Sequence, residues 1–309
     1  MRILFTGASS FTGYWFAKEL ASSGHEVFVL FRHQPRDYLD DLRRRRVKAL
    51  IEICRPVFGV FGDERFLQLI RSTNWDLLCH HAAEVANYKS ADFNVVAAVE
   101  NNTRQLPLVL DLLKKAGCAK IVLTGSIFEN DEGMGSGNRE AFSPYGLSKG
   151  LTWQMFRYYA QSRQISLGKF VIPNPFGPYE EPRFTHYLIK SWFAGVKPAV
   201  NTPDYVRDNI HVSLLAKAYV RFAETLAMGI SRINPSGYIE SQGSFTDRFA
   251  REMKLRLGLQ CEFVLNTQLD FSEPLVRINT DVAETKAMNW SDSTAWDELA
   301  DYYACLMTR

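Results

Sequence analysis

The chain has 309 residues, 46% hydrophobic and 23% charged, and 36 Lys and Arg against 34 Asp and Glu leave a formal charge of +2. That is enough to bury a full-sized core in one large or two medium domains, and it excludes a disordered or fibrous chain. The near-neutral balance gives no reason to expect nucleic acid as a partner, and no run of about 18 apolar residues is present to cross a membrane.

Arg2–Thr6 is a short apolar run, followed by a glycine-containing turn and by residues 11–23, whose apolar side chains recur at helical spacing. Gly24 and His25 end that helix, and Glu26–Phe31 reads as a second buried strand, parallel to the first because a helix connects them. Further strands are expected at 57–61, 76–82, 120–124 and Ser166–Ile172, with helices at Glu64–Ser72, 91–116 and 145–163 between them. This alternation predicts an α/β fold built on a doubly wound parallel sheet. After Pro173 the chain turns to loops rich in Pro, Asn and aromatics, with helices at 184–194 and 212–227. The division expected is residues 1–173 as the sheet domain and residues 174–309 as a smaller, mainly substrate-binding lobe with segments returning to the sheet. Arg43, Arg44, Arg45 and Arg46, a turn after Asp40 and Asp41, read as a solvated helix face. Met1 leads straight into a strand without an apolar leader, and Cys54, Cys79, Cys118, Cys261 and Cys305 contain no CxxC pair. A reduced, cytoplasmic protein without a zinc site or disulfide framework is expected.

Gly7-Ala8-Ser9-Ser10-Phe11-Thr12-Gly13 lies between the first strand and the first helix. There, Gly7 would permit the tight turn, backbone amides of residues 9 to 12 would face a pyrophosphate at the helix N-terminus, and Gly13 would let helix and strand pack closely. Ser10 replaces the usual central glycine, narrowing the backbone approach and adding a hydroxyl. Asp63 of the Gly62-Asp63 pair is either an adenine acceptor or a helix cap. The second strand ends in Phe31-Arg32 rather than in a carboxylate. Arg32 therefore favours the 2'-phosphate of NADP, with NAD possible.

Tyr145 and Lys149 stand four residues apart at the start of a long helix, on one face and one turn apart. An ammonium beside the phenol favours phenolate, which lets the pair exchange a proton with a sugar or alcohol hydroxyl. Ser126, just past the strand at 120–124, would hydrogen-bond the same substrate oxygen. His80, His81 and Glu84 follow the fourth strand, but their grouping does not suit a metal, and none is expected.

These residues, together with Gly62-Asp63, His81-Ala82-Ala83, Asn102, Thr124-Gly125-Ser126, Asn174-Pro175-Phe176-Gly177-Pro178 and Arg207-Asp208-Asn209-Ile210-His211-Val212, resemble the extended short-chain dehydrogenase/reductase family in its nucleotide-sugar epimerase/dehydratase branch. The resemblance covers nearly the whole chain. It implies a Rossmann-type domain holding NAD(P), with Tyr145 as acid/base, Lys149 bridging Tyr145 and the nicotinamide ribose, and Ser126 polarising the substrate oxygen. The cofactor contacts it implies are Gly7, Ser9, Ser10, Phe11, Thr12, Gly13, Arg32 and Asp63, then His81, Ala82, Ala83, Asn102, Thr124, Tyr145, Lys149 and Pro173. Asn174 and Arg207 would meet the diphosphate of a nucleotide sugar, with His211 nearby. A homodimer through the two long helices is implied by resemblance alone.

The departures from that family bear on the reaction. Its 4,6-dehydratases carry Asp-Glu directly after the active-site Ser/Thr, where this chain has Ile127 and Phe128, so dehydration lacks its acid and base. Glu129, one step further, would substitute only after rearrangement and otherwise reads as a solvated loop carboxylate. The polar, glycine-rich stretch 129–139 reads as a mobile lid. The expected function is reduction of an NDP-4-keto-sugar, with NDP-sugar 4-epimerisation as the alternative. Two further readings stay open: reduction of a non-nucleotide carbonyl, and a non-catalytic NADP-sensing regulator, which would be expected to lose the Tyr or Lys that this chain keeps.

Overall fold

The computed structural model describes residues 1–307. In chain order its elements are β1 (Arg2–Thr6), α1 (Phe11–Ser22), β2 (Glu26–Phe31), a short 3₁₀ turn (Pro35–Asp37), α2 (Asp41–Ile51), β3 (Arg55–Phe58), α3 (Glu64–Ser72), β4 (Leu77–His80), α4 (Val95–Asn102), α5 (Leu106–Lys115), β5 (Lys120–Ser126), β6 (Met134–Gly135) and α6 (Pro144–Ser162). They continue with β7 (Ser166–Ile172), β8 (Asn174–Phe176), α7 (Phe184–Phe193), β9 (Ala199–Val200), β10 (Val206–His211), α8 (Val212–Glu224), β11 (Ile230–Ile233), β12 (Pro235–Ser236), β13 (Tyr238–Ser241), α9 (Gln242–Leu257), β14 (Val264–Leu265), β15 (Val276–Ile278), β16 (Asp281–Val282) and α10 (Asp292–Met307). Two compact units form: the first from residues 1–132, 139–172 and 216–234, the second from residues 133–138, 173–215 and 235 onward.

The first unit is the doubly wound parallel sheet, in the order β11-β7-β5-β4-β1-β2-β3. Every neighbouring pair is parallel, as helical crossovers require. Ile3, Leu4 and Phe5 of β1 are fully enclosed, which explains why the central strands read as continuous apolar runs rather than alternating ones. On one face α3, α5 and α6 cover the sheet with Phe66, Ile70, Leu110, Leu113 and Phe156 around Trp75. On the other, Phe16 of α1 stacks on Tyr219 of α8 at 4.1 Å between ring centres, and both rings meet Phe170 of β7 edge-on.

The helix expected over 91–116 is two helices. Gln105 has φ +50° and Pro107 lies in the first turn of α5. A proline in mid-helix lacks the N–H that would continue the ladder, and its ring clashes with the carbonyl four residues back, so α4 stops at Asn102 and α5 restarts. β5 runs two residues beyond its expected end, which makes Ser126 the last residue of the strand. β3 lies earlier than expected, and Phe61 packs beyond it on Phe66.

The expected lid at 129–139 is fastened instead. Glu129 and Glu132 are buried, Asp131 N–H donates to the Arg139 carbonyl, and Met134–Gly135 forms β6, antiparallel to β15. A carboxylate enclosed by partners does not behave as a solvated loop, and residues 133–138 belong to the second unit. In that unit β10 is flanked by β13, β15 and β8, and a separate core gathers Phe176, Leu188, Trp192, Phe249, Trp296 and Tyr303.

Phe156 is fully enclosed and stacks on His80 at 5.0 Å. Phe156→Ala is expected to lower stability by about 3–5 kcal/mol, the usual cost of a large core cavity. Urea unfolding checks this, and a change of less than about 1 kcal/mol would contradict the packing.

Candidate active site

Gly7 adopts φ +81°, and a Cβ there would stand 2.6 Å from Ala82 N and 2.8 Å from Ala82 Cα. A Cβ on Gly13 would stand 2.2 Å from the Gly7 carbonyl oxygen. Both glycines are therefore required by contact, the first for the turn and its approach to β4, the second for helix packing. The Ser10 hydroxyl turns inward: it caps α1 by accepting from Gly13 N–H and donates to the Gly7 carbonyl. The loop thus leaves the N-terminal end of α1, with its positive dipole end, as the cradle a pyrophosphate fits.

His81 ties this loop to the sheet. Nε2 lies 3.1 Å from both Ser10 Oγ and Thr12 Oγ1, and Nδ1 lies 2.9 Å from Thr124 Oγ1. With the Ser10 proton committed to Gly7, the serine accepts from Nε2–H, which assigns the tautomer and leaves Nδ1 accepting from Thr124. Burial pushes the imidazole down to about 3, so the ring is neutral. Ala82 N–H donates to Thr6 Oγ1, and Ala83 follows it in the same loop. His80 is a satisfied core histidine, 3.0 Å from Thr6 Oγ1 and 3.1 Å from the Asn102 carbonyl oxygen.

Three expected cofactor contacts have internal partners. Asp63 caps α3: one carboxylate oxygen accepts from Phe66 N–H and the other from Val60 N–H. Asn102 is buried, accepting from Glu84 N–H and donating to Thr152 Oγ1, so it holds the loop after β4. Arg32 stands 3.8 Å from the Glu84 carboxylate, about half exposed. A carboxylate, absent directly after β2, thus comes to Arg32 from the loop after β4.

Arg46 corrects the reading of the arginine run as solvated. It is fully buried, lies 6.0 Å from the Phe11 ring centre, and Nη1 donates to the Ser9 carbonyl at 3.3 Å. The signal was in the spacing, because Arg46 shares a helical stripe with the buried Val47 and Leu50.

The second part of the site is the junction of β5 and α6. Ser143 caps α6 by accepting from Gly146 N–H, Pro144 fills the first turn, and Tyr145 and Lys149 follow on one face. Lys149 is buried and its Nζ donates to the Thr124 carbonyl at 2.5 Å. Burial pushes its ammonium down to about 8, opposed by the negative charge of Glu129 and assisted by Lys169. The Tyr145 ring is flanked edge-on by Tyr88 and Phe93. Ser126 Oγ accepts from Phe128 N–H at 3.3 Å, and Ser126 N–H donates to Glu129 Oε1 at 2.7 Å. The structure thus brings Thr124, Ser126 and Lys149 to the carboxyl end of β5, with Tyr145 one helical turn before Lys149.

Sequence reasoning missed the charges behind that strand end. Lys169 on β7 stands 2.6 Å from Glu129 and 2.6 Å from Glu132, all three enclosed. A lysine inside the apolar run of β7 was the available signal, since a buried ammonium needs partners.

Pro173, Asn174, Arg207 and His211 belong to the second unit. Asn174 Nδ2 donates to Asn209 Oδ1 at 2.7 Å across the β8–β10 pair. Arg207 donates to the Glu273 carboxylate at 2.8 Å and to the Pro274 and Leu275 carbonyls, and it stacks over Tyr205. His211 is 2% exposed, packed against Phe176 and accepting from Ser213 N–H. The ring is packed into the end of β10, and its Nε2 is buried with no hydrogen-bond partner among the described residues.

A parallel sheet whose first crossover starts on a glycine turn, with a Tyr-Lys pair leading the helix after β5, defines an NAD(P)-dependent enzyme of the extended short-chain dehydrogenase/reductase class. Its residues fit the dinucleotide that class uses. The chain belongs to the NAD dependent epimerase/dehydratase family, whose model matches residues 3–234. The fold is similar to UDP-glucose 4-epimerase of Thermotoga maritima, at 19% identity and TM-score 0.74, covering 99% of this chain and 100% of that one. It is also similar to UDP-glucuronic acid 4-epimerase of Bacillus cereus in complex with UDP-glucuronic acid and NAD, at 18% identity and TM-score 0.76, with the same coverage. A third similar structure is the dTDP-glucose 4,6-dehydratase DesIV of Streptomyces venezuelae, at 18% identity and TM-score 0.72, covering 98% of this chain and 97% of that one. No curated protein sequence matches the chain. Among the described residues, no helix is long and apolar enough to cross a membrane.

Gly13→Val is expected to abolish NADH binding, measured by fluorescence titration. Arg46→Met is expected to weaken it about tenfold, the scale of one hydrogen bond made by a charged group. Unchanged affinity in either folded variant would contradict the loop geometry.

Proposed function

We propose that this enzyme is a 4-epimerase of a nucleoside-diphosphate sugar, working with NAD. The observation that carries the reading is the assembly of Ser126, Lys149 and the Thr124 carbonyl at the end of β5, with Tyr145 a turn away and no dehydratase acid or base beside them. Ile127 is a buried hydrocarbon, and Glu129 is committed to Lys169 and to Ser126 N–H. Water loss from the sugar is thereby left without its proton carriers, whereas hydride transfer with proton exchange has all it needs.

In this reading the Tyr145 phenolate accepts the proton of the sugar 4-hydroxyl while Ser126 donates a hydrogen bond to the same oxygen. The Lys149 ammonium stabilises the phenolate that begins the step and the one that reforms. A nicotinamide held by the glycine turn would supply a reversible hydride acceptor. Tyr145 would return its proton to the same sugar oxygen in the reverse step, so that inversion at that carbon would leave no net consumption of cofactor or proton. Asn174 and Arg207 are the residues we assign to the diphosphate.

NAD is favoured over NADP because Glu84 stands beside Arg32 and draws on the positive charge that a 2'-phosphate would need. The UDP-glucuronic acid epimerase of similar fold was solved with NAD. Net reduction of a 4-keto sugar is the second reading, favoured by Arg32 at the end of β2. The likeness to 4-epimerases supports the first.

Incubation with UDP-hexoses and UDP-hexuronic acids is expected to give 4-isomerised product without consumption of added NADH or NADPH. Stoichiometric loss of absorbance with a 4-keto sugar would establish the reductase instead, and the absence of binding by any nucleoside diphosphate would end the sugar-nucleotide reading. Tyr145→Phe should reduce turnover about 10²–10⁴-fold, the usual contribution of a positioned acid/base. Its affinity for the dinucleotide should stay within a few-fold. NAD should bind at least as tightly as NADP; tighter NADP binding that Arg32→Ala abolishes would assign Arg32 to a 2'-phosphate.

A further inference from the structure

We propose that Glu129 is a positioning residue of the catalytic centre, a buried anion that keeps the Lys149 ammonium charged and holds the backbone of Ser126. The inference rests on the assignment of Tyr145 and Lys149 to proton transfer, and it concerns a residue with no part in substrate contact.

The geometry places two charged side chains at successive points along one strand. Lys149 Nζ donates to the Thr124 carbonyl at 2.5 Å, and Glu129 Oε1 accepts from Ser126 N–H at 2.7 Å. Between them lies Gly125, where a Cβ would stand 2.8 Å from Lys169 Cε and 3.1 Å from Glu129 Oε1. The glycine is what lets the charge cluster close on the strand. Glu129 is fully enclosed, and its second oxygen stands 2.6 Å from Lys169 Nζ.

The charges do not cancel. Lys169 is shared between Glu129 and Glu132, so two carboxylates face one ammonium. Arg232 reaches Glu132 only at 3.6 Å and is half exposed. Lys149 supplies the missing positive charge: burial lowers it, Glu129 raises it and Lys169 lowers it again. Tyr145 on its own helix and His80 and His81 at the end of β4 are further titratable groups near it. Both histidines are pushed down by burial and by Lys149, and they remain neutral. Burial pushes the Glu129 carboxyl up, and the Lys169 and Lys149 ammonium groups draw it back down, so the anion that offsets the cost of enclosing Lys149 is itself held ionised by these two lysines.

The sign of each perturbation follows. A lysine pushed down to about 8 is protonated at neutral pH and loses its charge, with its hold on the phenolate, as pH rises through that value. Glu129→Gln keeps an oxygen for Ser126 N–H but removes the anion, so Lys149 should deprotonate at lower pH. Lys169→Gln removes a competing cation but also the partner that holds Glu129 ionised, so it should lower Lys149 less than Glu129→Gln does, or not at all. The double variant should titrate between them.

The test is a titration of Lys149 in the full-length enzyme by NMR of ¹³Cε-labelled lysine, its resonance identified by its loss in Lys149→Arg, alongside pH profiles of turnover. The expected result is a Lys149 midpoint about one unit lower in Glu129→Gln, a tenfold change in the equilibrium. The alkaline limb of kcat should shift with it at unchanged KM. An unchanged Lys149 midpoint in Glu129→Gln, or one lowered as far in Lys169→Gln as in Glu129→Gln, would overturn the proposal, because a merely structural residue does not lower the midpoint through the loss of its own charge. Should Glu129→Gln fail to fold, the double variant must still titrate below Lys169→Gln. Because the resonance is read without substrate, a failure of the epimerase assignment alone would leave the titration intact.

Discussion

Enclosing a lysine ammonium under the end of a parallel sheet is the constraint around which the first unit is arranged. A buried charge is costly unless paired and hydrogen-bonded. Lys149 receives a backbone carbonyl from Thr124, and the carboxylate of Glu129 is anchored two residues further along the same strand. Pro144 and the Ser143 cap start α6 at the point that delivers Tyr145 and Lys149 together. Gly125 and Gly146 serve the same end, since a side chain at either would collide with the cluster or with the Phe128 carbonyl.

The glycine turn and this strand end are mechanically one piece. His81 connects them, bonding the loop through Ser10 and Thr12 and the strand through Thr124, whose carbonyl receives Lys149. A neutral imidazole suits that place because a charged one would repel the lysine. The small Ala82 follows from the same crowding, as it passes directly beneath Gly7.

The sheet, the glycine turn and the Tyr-Lys pair were legible because each is written in local pattern: apolar runs of strand length, helical periodicity and a cap before a proline. What escaped depends on pairings across long sequence separation. Nothing near Glu129 announces Lys169, forty residues later, and nothing near Arg32 announces Glu84. The Arg46 side chain was misread because charge runs usually face water, although its stripe with Val47 and Leu50 pointed inward. The burial of His211 was not legible either, because it comes from the packing of Phe176 and Ser213 around the ring. The break between α4 and α5 was written in Pro107 and passed over because the apolar periodicity runs on through it.

The seventh strand of the sheet comes late in the chain. When synthesis has reached Ile172, six strands exist, and β7 is an open edge with unpaired backbone groups. Its partner β11 and the end of α8, where Phe222 and the following Leu226 seat against the bare backbone of Gly168, lie beyond an intervening stretch of the other unit. A nascent or truncated chain ending there exposes a sticky border, so the two units are obliged to mature together rather than in turn.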